Sequence, residues 1–174
     1  MILIALCGLP GVGKSRLASA LATDLQVPIL DKDRVREALF GPDFVEYSRL
    51  QDDHCCEILY STAAWLASRK QSPCAVLDGR TFLLAGQADR LVIHCRAHGL
   101  DPRFVLCTAP REIAWEWIER DRASGSHRAR NRTRELHETL EREAVPLAVP
   151  HLVLDSHGLD LEEQVRRVRA WTGL

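Results

Sequence analysis

Short apolar runs alternate along this chain with longer stretches in which apolar residues recur every three or four positions. The runs at 2–7, 27–30, 74–77, 103–107 and 151–154 predict five strands. The longer stretches predict helices between them, the last with Leu161, Val165, Val168 and Trp171 on one face. Strands that alternate with helices are typical of a parallel sheet covered on both faces. We therefore predict a three-layer α/β/α sandwich with a five-stranded parallel sheet and ligands at the carboxyl ends of its strands.

The chain is expected to form one domain, residues 1–174, because no linker, repeat or low-complexity tract divides it. Apolar residues make up 46% and charged residues 27% of the sequence, and the formal net charge is -1. No overall charge therefore draws the protein towards nucleic acid or an anionic membrane. Without a secretory leader pattern or an apolar stretch of about 20 residues, we expect a cytoplasmic protein with no membrane partner, as a monomer or homodimer. The six cysteines are expected to be reduced, mostly buried thiols.

A phosphate-loop pattern, G-x-x-x-x-G-K-[ST], is complete between residues 8 and 15, between the first predicted strand and a predicted helix. Glycines let backbone N–H groups turn around an anion, and the helix adds its positive end. Lys14 is placed to reach the β- and γ-phosphates, and the Ser15 hydroxyl to ligate Mg²⁺. We predict an ATP and Mg²⁺ site whose nucleotide-binding residues are Gly8, Pro10, Gly11, Val12, Gly13, Lys14, Ser15 and Arg16.

The class of phosphate-loop protein follows from what the sequence lacks. The guanine motif N-K-x-D of GTPases is absent from it, and a ring-forming motor needs a larger module than 174 residues provide. Small kinases remain.

A second motif, D-x-x-R, follows the second predicted strand and places Asp33 and Arg36 one helical turn apart. A kinase needs a group that accepts the proton of the acceptor hydroxyl and a cation that orients the acceptor. Asp33 and Arg36 could supply both. The alternative is a helix N-cap at Asp31 or Asp33, followed by an exposed arginine. The phosphate loop upstream favours the catalytic interpretation.

These motifs resemble those of the small P-loop kinases grouped around polynucleotide 5′-hydroxyl kinase, adenylylsulfate kinase, gluconate kinase and the zeta toxins. The adenylylsulfate kinases carry L-D-G-D-x-x-R after the second strand, and residues 30–36 of this chain match it except that Lys32 replaces glycine. Polynucleotide kinases share the narrower D-x-x-R. The resemblance implies a P-loop NTPase fold like that of nucleoside monophosphate kinases. It also implies that Asp33 is the general base and that Arg36 binds the acceptor or a phosphate.

Asp78 ends the third predicted strand and is followed by Gly79 and Arg80. Its carboxylate could hold the Mg²⁺ shell through water or bind the acceptor, and Arg80 would point towards the same rim. A plain Asp-Gly turn at a strand end is the alternative.

Arginines are dense over about 120–134, around Ser124-Gly125-Ser126. In the resembled kinases this position is a lid whose arginines close over the γ-phosphate, which excludes water from the reaction. We expect two or three lid arginines, with Arg120 and Arg128 as the leading candidates and His127 as a further member. A solvated basic surface and a nucleic-acid-binding patch are the alternatives.

The segment of about 37–70 is expected to cover the acceptor. Up to Tyr60 it has six acidic residues (Glu37, Asp43, Glu46, Asp52, Asp53 and Glu57) against a single Arg49, with aromatic residues between them. A polynucleotide groove should be basic, so this composition favours a neutral or cationic small molecule. Carboxylates that simply face solvent are the alternative. The loop at 155–158 is expected near the adenine, and the four tryptophans are expected to be core residues.

The leading hypothesis is an ATP-dependent kinase that phosphorylates a hydroxyl of a small molecule, such as a sugar, nucleoside, adenylylsulfate or aminoglycoside-like compound. Its predicted catalytic residues are Lys14, Asp33, Arg36, Arg120 and Arg128. Asp33, Arg36, Asp78 and Arg80 are predicted to bind the acceptor, and Ser15 and Asp78 the metal. The alternatives are a polynucleotide 5′-hydroxyl kinase, for which nucleic acid would be the partner, and a nucleotide-binding regulatory protein with little turnover.

Overall fold

The computed structural model describes residues 1–124, 131 and 133–174. Strands and helices alternate along it as the sequence predicts. In chain order they are β1 (Ile2–Cys7), α1 (Lys14–Leu25), β2 (Ile29–Asp31), α2 (Lys32–Phe40), α3 (Arg49–Ser68), β3 (Cys74–Asp78), α4 (Gln87–Ala97), β4 (Asp101–Thr108), α5 (Arg111–Ser124), α6 (Arg134–Glu143), β5 (His151–Asp155) and α7 (Leu161–Thr172). Of the helices in this described part of the chain, none combines the length and apolar character needed to cross a bilayer.

The strands form one parallel sheet in the order β2-β3-β1-β4-β5, which confirms the predicted fold class. β1 lies at its centre, paired with β3 on one side and β4 on the other. From β1 the chain runs to the edge strand β2, returns to β3 beside β1, and then crosses β1 to reach β4 and β5, so the winding of the sheet changes direction at the carboxyl end of β1. Ligands of open α/β sheets bind at this point, and here the segment that follows β1 is the phosphate loop.

The sheet is buried on both faces, which explains its unbroken apolar runs. One face packs Leu3, Ala5 and Leu77 against α3 and α4. The other packs Ile4 and Leu6 against α1 and α7. All six cysteines are buried free thiols, as expected.

Polar side chains fix the starts of α2 and α3. α3 begins at Arg49, because the Ser48 hydroxyl accepts a hydrogen bond from the Gln51 N–H at 3.1 Å and caps the helix. α2 begins at Lys32, where the Asp31 carboxylate caps it by accepting from the Asp33 N–H at 2.8 Å. The tryptophan prediction is wrong for Trp65, whose side chain is 51% exposed.

Candidate active site

At two positions the phosphate loop lies so close to neighbouring backbone that only glycine fits. Gly8 and Gly11 have φ values of 132° and 83°. A Cβ would lie 2.4 Å from the Cys107 carbonyl oxygen at Gly8 and 2.5 Å from the Ala114 carbonyl oxygen at Gly11. The Gly8 N–H also donates to the Thr81 carbonyl oxygen at 2.9 Å. The loop is therefore held between β4, α5 and the segment that follows β3.

Lys14 lies at the first position of α1, and its side chain folds back over the loop. Its Nζ donates to the carbonyl oxygens of Gly8 at 2.8 Å and Leu9 at 2.7 Å. Two cavities open on either side of it, and Lys14 lines both. The side chain of Val12, in contrast, packs in the hydrophobic core, so only its backbone is available to a phosphate.

We call these spaces the central cavity, of about 380 Å³, and the side cavity, of about 190 Å³. The central cavity lies between the phosphate loop, α2, α3, the start of α4 and α6. The side cavity lies between the phosphate loop, α5 and the segment that follows β5. Gly11, Gly13, Ser15, Arg16 and Arg120 line the side cavity, and Pro10, Asp33, Arg36 and Arg80 line the central cavity.

Asp33 and Arg36 are buried side by side in the central cavity. Arg36 Nη1 donates to Asp33 Oδ1 at 2.8 Å, and the two side chains are 3% and 8% exposed. Because Asp31 provides the N-cap, Asp33 is left to face the cavity. The cap prediction therefore holds for Asp31 only.

Asp52 of α3 completes a charge quartet with Lys32, Asp33 and Arg36. Its carboxylate pairs with Lys32 Nζ at 2.9 Å and also with Arg36 Nη2. Lys32 Nζ lies 3.7 Å from Asp33 Oδ1, and the Tyr47 ring lies 5.1 Å from the Arg36 guanidinium carbon. Burial lowers the pKa of Lys32 and the neighbouring Asp33 opposes that effect. The quartet fixes the Asp33 carboxylate in one orientation.

Asp78 lies at the carboxyl end of β3, in register with Asp31 at the end of β2. Burial raises the pKa of Asp31, and the nearby charges of Asp78 and Asp33 raise it further. Among the described residues, Asp78 Oδ1 is buried with no hydrogen-bond partner. An unsatisfied carboxylate oxygen beside a phosphate loop fits a hydrated Mg²⁺, whose other protein ligand would be Ser15. Within the same residues no cluster of three His, Cys, Asp or Glu side chains offers an all-protein metal site.

Arg80 enters the central cavity from the segment that follows β3. It is 7% exposed and pairs with Asp53 of α3, which also accepts from Arg90 Nη1 of α4 at 2.7 Å. Burial acts to raise the pKa of Asp53, but Arg80 and Arg90 together hold it below its ordinary value. Asp53 is therefore ionised and bridges two arginines.

The charge of the central cavity differs from the expectation based on the 37–70 segment. Among the described residues, its lining has six basic side chains (Lys14, Lys32, Arg36, Arg49, Arg80 and Arg90) and four acidic ones (Asp33, Asp52, Asp53 and Glu143). Four carboxylates of the segment, those of Glu37, Asp43, Glu46 and Glu57, are exposed. Only Asp52 and Asp53 reach the cavity, and both are matched there by cations from other elements. The expectation that the 37–70 segment makes the cover of this cavity acidic is therefore wrong.

Only part of the predicted lid lies within the described residues. Arg120 is exposed at the edge of the side cavity. Arg128 and His127 lie outside the described residues. α6, which follows this region, contributes Leu136, Thr139, Leu140 and Glu143 to the central cavity.

Sequence reasoning also missed a residue of α6 and a residue of α5 that belong to the site. His137 of α6 is 2% exposed, and its Nδ1 lies 2.9 Å from the Pro10 carbonyl oxygen of the phosphate loop. Trp117 of α5 lines the side cavity, opposite the predicted adenine loop, where Ser156 Oγ is buried with no hydrogen-bond partner among the described residues. Neither residue belongs to a local motif, so the sequence carries no signal for them.

Comparison with known families identifies the family of the chain. Residues 3–147 match the family described as AAA domain, which is most of the chain. The chain belongs to the AAA domain family. No curated protein matches the chain significantly.

Solved structures show which P-loop proteins this AAA domain resembles. A candidate kinase from Chloroflexus aurantiacus is 25% identical with a TM-score of 0.77, and the match covers 97% of each chain. The APS kinase of Mycobacterium tuberculosis, solved with AMPPNP and APS, is 20% identical with a TM-score of 0.71 and coverage of 99% and 97%. A gluconokinase from Sinorhizobium meliloti is 17% identical with a TM-score of 0.68 and coverage of 97% and 89%. The chain therefore has the fold of the small P-loop kinases.

Proposed function

We propose that this protein is an ATP-dependent kinase that transfers the γ-phosphate to a hydroxyl of a small molecule. The observation that carries the proposal is the position of Lys14 between two cavities, one built on the phosphate loop and the other containing Asp33. A kinase must bring a triphosphate and an acceptor to the two sides of the transferring phosphoryl group. A switch or a motor needs no second cavity with a carboxylate at that place.

In this proposal the loop glycines, Lys14 and Arg16 hold the phosphates, and the adenine lies towards Trp117 and Ser156. Ser15 and Asp78 would hold Mg²⁺, which would neutralise charge on the phosphate oxygens. Asp33 orients the acceptor hydroxyl and accepts its proton, while Arg36 fixes the Asp33 carboxylate by the 2.8 Å hydrogen bond. Arg120 is exposed at the edge of the side cavity, where a small closing movement would bring it to the phosphates.

The size of the central cavity supports a small acceptor. Its volume of about 380 Å³ is near the lower end of the range for small-molecule sites. Arg49 of α3 pairs with Glu143 of α6 at the cavity edge, so the two helices are joined across one side. The solved relatives include a gluconokinase and an APS kinase, which is consistent with a small acceptor.

The test is a turnover assay with Mg²⁺ and ATP against sugars, sugar acids, nucleosides, adenylylsulfate, aminoglycosides and 5′-OH oligonucleotides. The product mass is measured directly. We expect an increase of one phosphoryl group on a small acceptor. Phosphorylation of the oligonucleotides alone would show the polynucleotide kinase instead. Nucleotide binding without transfer to any acceptor would contradict the proposal and favour a regulatory protein.

A further inference from the structure

The positive charge of the central cavity is not evenly distributed. The quartet of Lys32, Asp33, Arg36 and Asp52 contains two cations and two anions, and Arg49 pairs with Glu143. Lys14 is bonded to the phosphate loop. What remains is the group of Arg80, Asp53 and Arg90, in which two guanidinium groups share one carboxylate. Apart from Lys14, the positive charge that no carboxylate balances is therefore located at this triad.

Arg80 is the buried member of the triad. Its side chain is 7% exposed and lines the cavity, and its Nη2 pairs with Asp53. Because Arg80 and Arg90 share one carboxylate, the triad has one positive charge in excess. A small anion in the cavity would be placed to balance that charge. Arg90, at 62% exposure, would meet that anion from the cavity rim.

The triad also lies close to the proposed reaction centre. At Gly79, where φ is 95°, an added Cβ would lie 2.8 Å from Lys32 Cβ, so the turn before Arg80 packs directly on the start of α2. Arg80 and Asp33 consequently line the same cavity from adjacent elements. A single small molecule in about 380 Å³ can contact both.

We propose that Arg80 and Arg90 form an anion subsite, which selects as acceptor a small hydroxylated acid: a molecule whose hydroxyl faces Asp33 and whose carboxylate binds the two guanidinium groups. The planar guanidinium fork matches a carboxylate by two parallel hydrogen bonds. Asp53 holds both arginines in place and leaves one net positive charge for the ligand. This inference rests on the proposed kinase function and names the acceptor class for the same site.

The test compares matched acceptors that differ only in charge. Aldonic acids of four to six carbons are assayed beside the alditols of the same length, and other hydroxy acids beside their amides. Losing hydrogen bonds to a charged group costs about 1.5–3 kcal/mol, so we expect kcat/KM to be about 10- to 100-fold higher for the acid of the preferred pair. Arg80→Gln should raise the KM of the acid by about that factor and leave the alditol within about threefold, so the preference disappears.

Arg90→Gln, at an exposed position, tests the same idea without disturbing the interior and should reduce the preference by a smaller factor. Arg103→Gln is the matched control, because Arg103 pairs with Asp101 on the exposed start of β4 and does not line the cavity. It should preserve the preference. Thermal unfolding of each variant shows whether Arg80→Gln remains folded.

Binding of the acids without ATP, measured by calorimetry, separates the two proposals. Equal use of acid and alditol, or a preference that survives both substitutions, would overturn the anion subsite while leaving the kinase proposal intact. Acids that bind the unmodified protein but not Arg80→Gln, without phosphorylation of any acceptor, would support the subsite and overturn the kinase. If no acid binds or reacts, the anion subsite is wrong, whatever the neutral acceptors show.

Discussion

The Nδ1 atom of His137 lies 2.9 Å from the Pro10 carbonyl oxygen, across 127 positions of sequence. A carbonyl oxygen only accepts, so Nδ1 carries the proton and donates. The imidazole is 2% exposed and stands edge-on to the Trp115 ring, with 6.5 Å between ring centroids. This contact attaches α6, the helix after the arginine-rich region, directly to the phosphate loop.

His137 should therefore act as a positioning residue for the nucleotide. In His137→Asn the side-chain amide can still donate near the place of Nδ1, whereas His137→Leu leaves the Pro10 carbonyl without its partner. We expect the KM for ATP to rise about tenfold in the leucine variant and less than about threefold in the asparagine variant, since a hydrogen bond is worth about 1 kcal/mol or somewhat more when buried. The KM for ATP is measured by steady-state kinetics at saturating acceptor. His98→Leu, at the exposed carboxyl end of α4, is the control. Equal effects of the two substitutions would show a packing role only.

Asp33→Asn keeps the size of the side chain and removes its ability to take a proton. We expect kcat to fall by about 10²- to 10⁴-fold, the usual contribution of a general base, with ATP affinity within about threefold. Asp43→Asn changes an exposed carboxylate of the 37–70 segment and should leave kcat unchanged. An Asp33→Asn enzyme with ordinary kcat on every acceptor would remove Asp33 from the chemistry.

Asp31 should limit the stability of the protein at neutral pH. Its pKa is raised in the folded state by burial and by Asp78 and Asp33, so the folded protein binds the proton more tightly than the unfolded chain. That contribution is present at pH values below the unfolded pKa and is lost as pH rises through the folded pKa. Asp31→Asn keeps a capping side chain and removes the charge.

We therefore expect Asp31→Asn to gain stability relative to the unmodified protein as the pH rises above the ordinary pKa of an aspartate, measured by urea unfolding at a series of pH values. Asp31→Ala, which loses the cap on α2, should cost about 1 kcal/mol. Asp160→Asn makes the same exchange at the N-cap of α7, away from the carboxylates at the ends of β2 and β3. If the difference in unfolding free energy between Asp31→Asn and the unmodified protein did not change with pH, the raised pKa of Asp31 would be contradicted.

Gly11→Ala should disrupt the phosphate loop by crowding. Its Cβ would lie 2.5 Å from the Ala114 carbonyl oxygen, in addition to the strain of a positive φ. Gly99 has a φ of 66° with nothing within 4 Å, so Gly99→Ala carries the conformational cost alone. We expect Gly99→Ala to lose about 1 kcal/mol of stability with ATP binding intact. Gly11→Ala should lose ATP binding at least tenfold, measured by calorimetry, and comparable affinity in the two variants would contradict this.

Trp117 should report nucleotide binding by its fluorescence, because it lines the side cavity. We expect ATP to change the emission of the protein and Trp117→Phe to remove most of that change. Trp65→Phe is the control, since Trp65 is 51% exposed on α3 and does not line the cavity. A signal that persists in Trp117→Phe and disappears in Trp65→Phe would place the nucleotide elsewhere.

The sequence predicts the fold of this protein well because the fold depends on local patterns. Buried strands such as β1 and β3 need unbroken apolar runs, and the phosphate loop needs glycines at fixed positions. The D-x-x-R spacing likewise placed Asp33 and Arg36 on one helix face. Each of these features is contained within one short segment.

The electrostatics of the central cavity could not be predicted in the same way. Asp52 and Asp53 belong to an acidic segment, but their partners lie on α2, on α4 and after β3. A helical pattern shows which side of α3 is buried and gives no information about which cations face it. The contact of His137 with Pro10 likewise depends on how α6 packs, which no motif records.

Lys14 of the phosphate loop donates to the carbonyl oxygens of Gly8 and Leu9 at 2.8 and 2.7 Å. Those two oxygens stand in for anionic oxygens and keep a buried ammonium group satisfied. In the proposed kinase, phosphate binding would therefore exchange these partners for phosphate oxygens. Since Lys14 lines both cavities, the same exchange would alter the charge that an acceptor meets on the other side. In the proposed kinase, occupation of one cavity would thereby be linked to affinity in the other, and thermodynamic reciprocity would make that linkage equal in both directions.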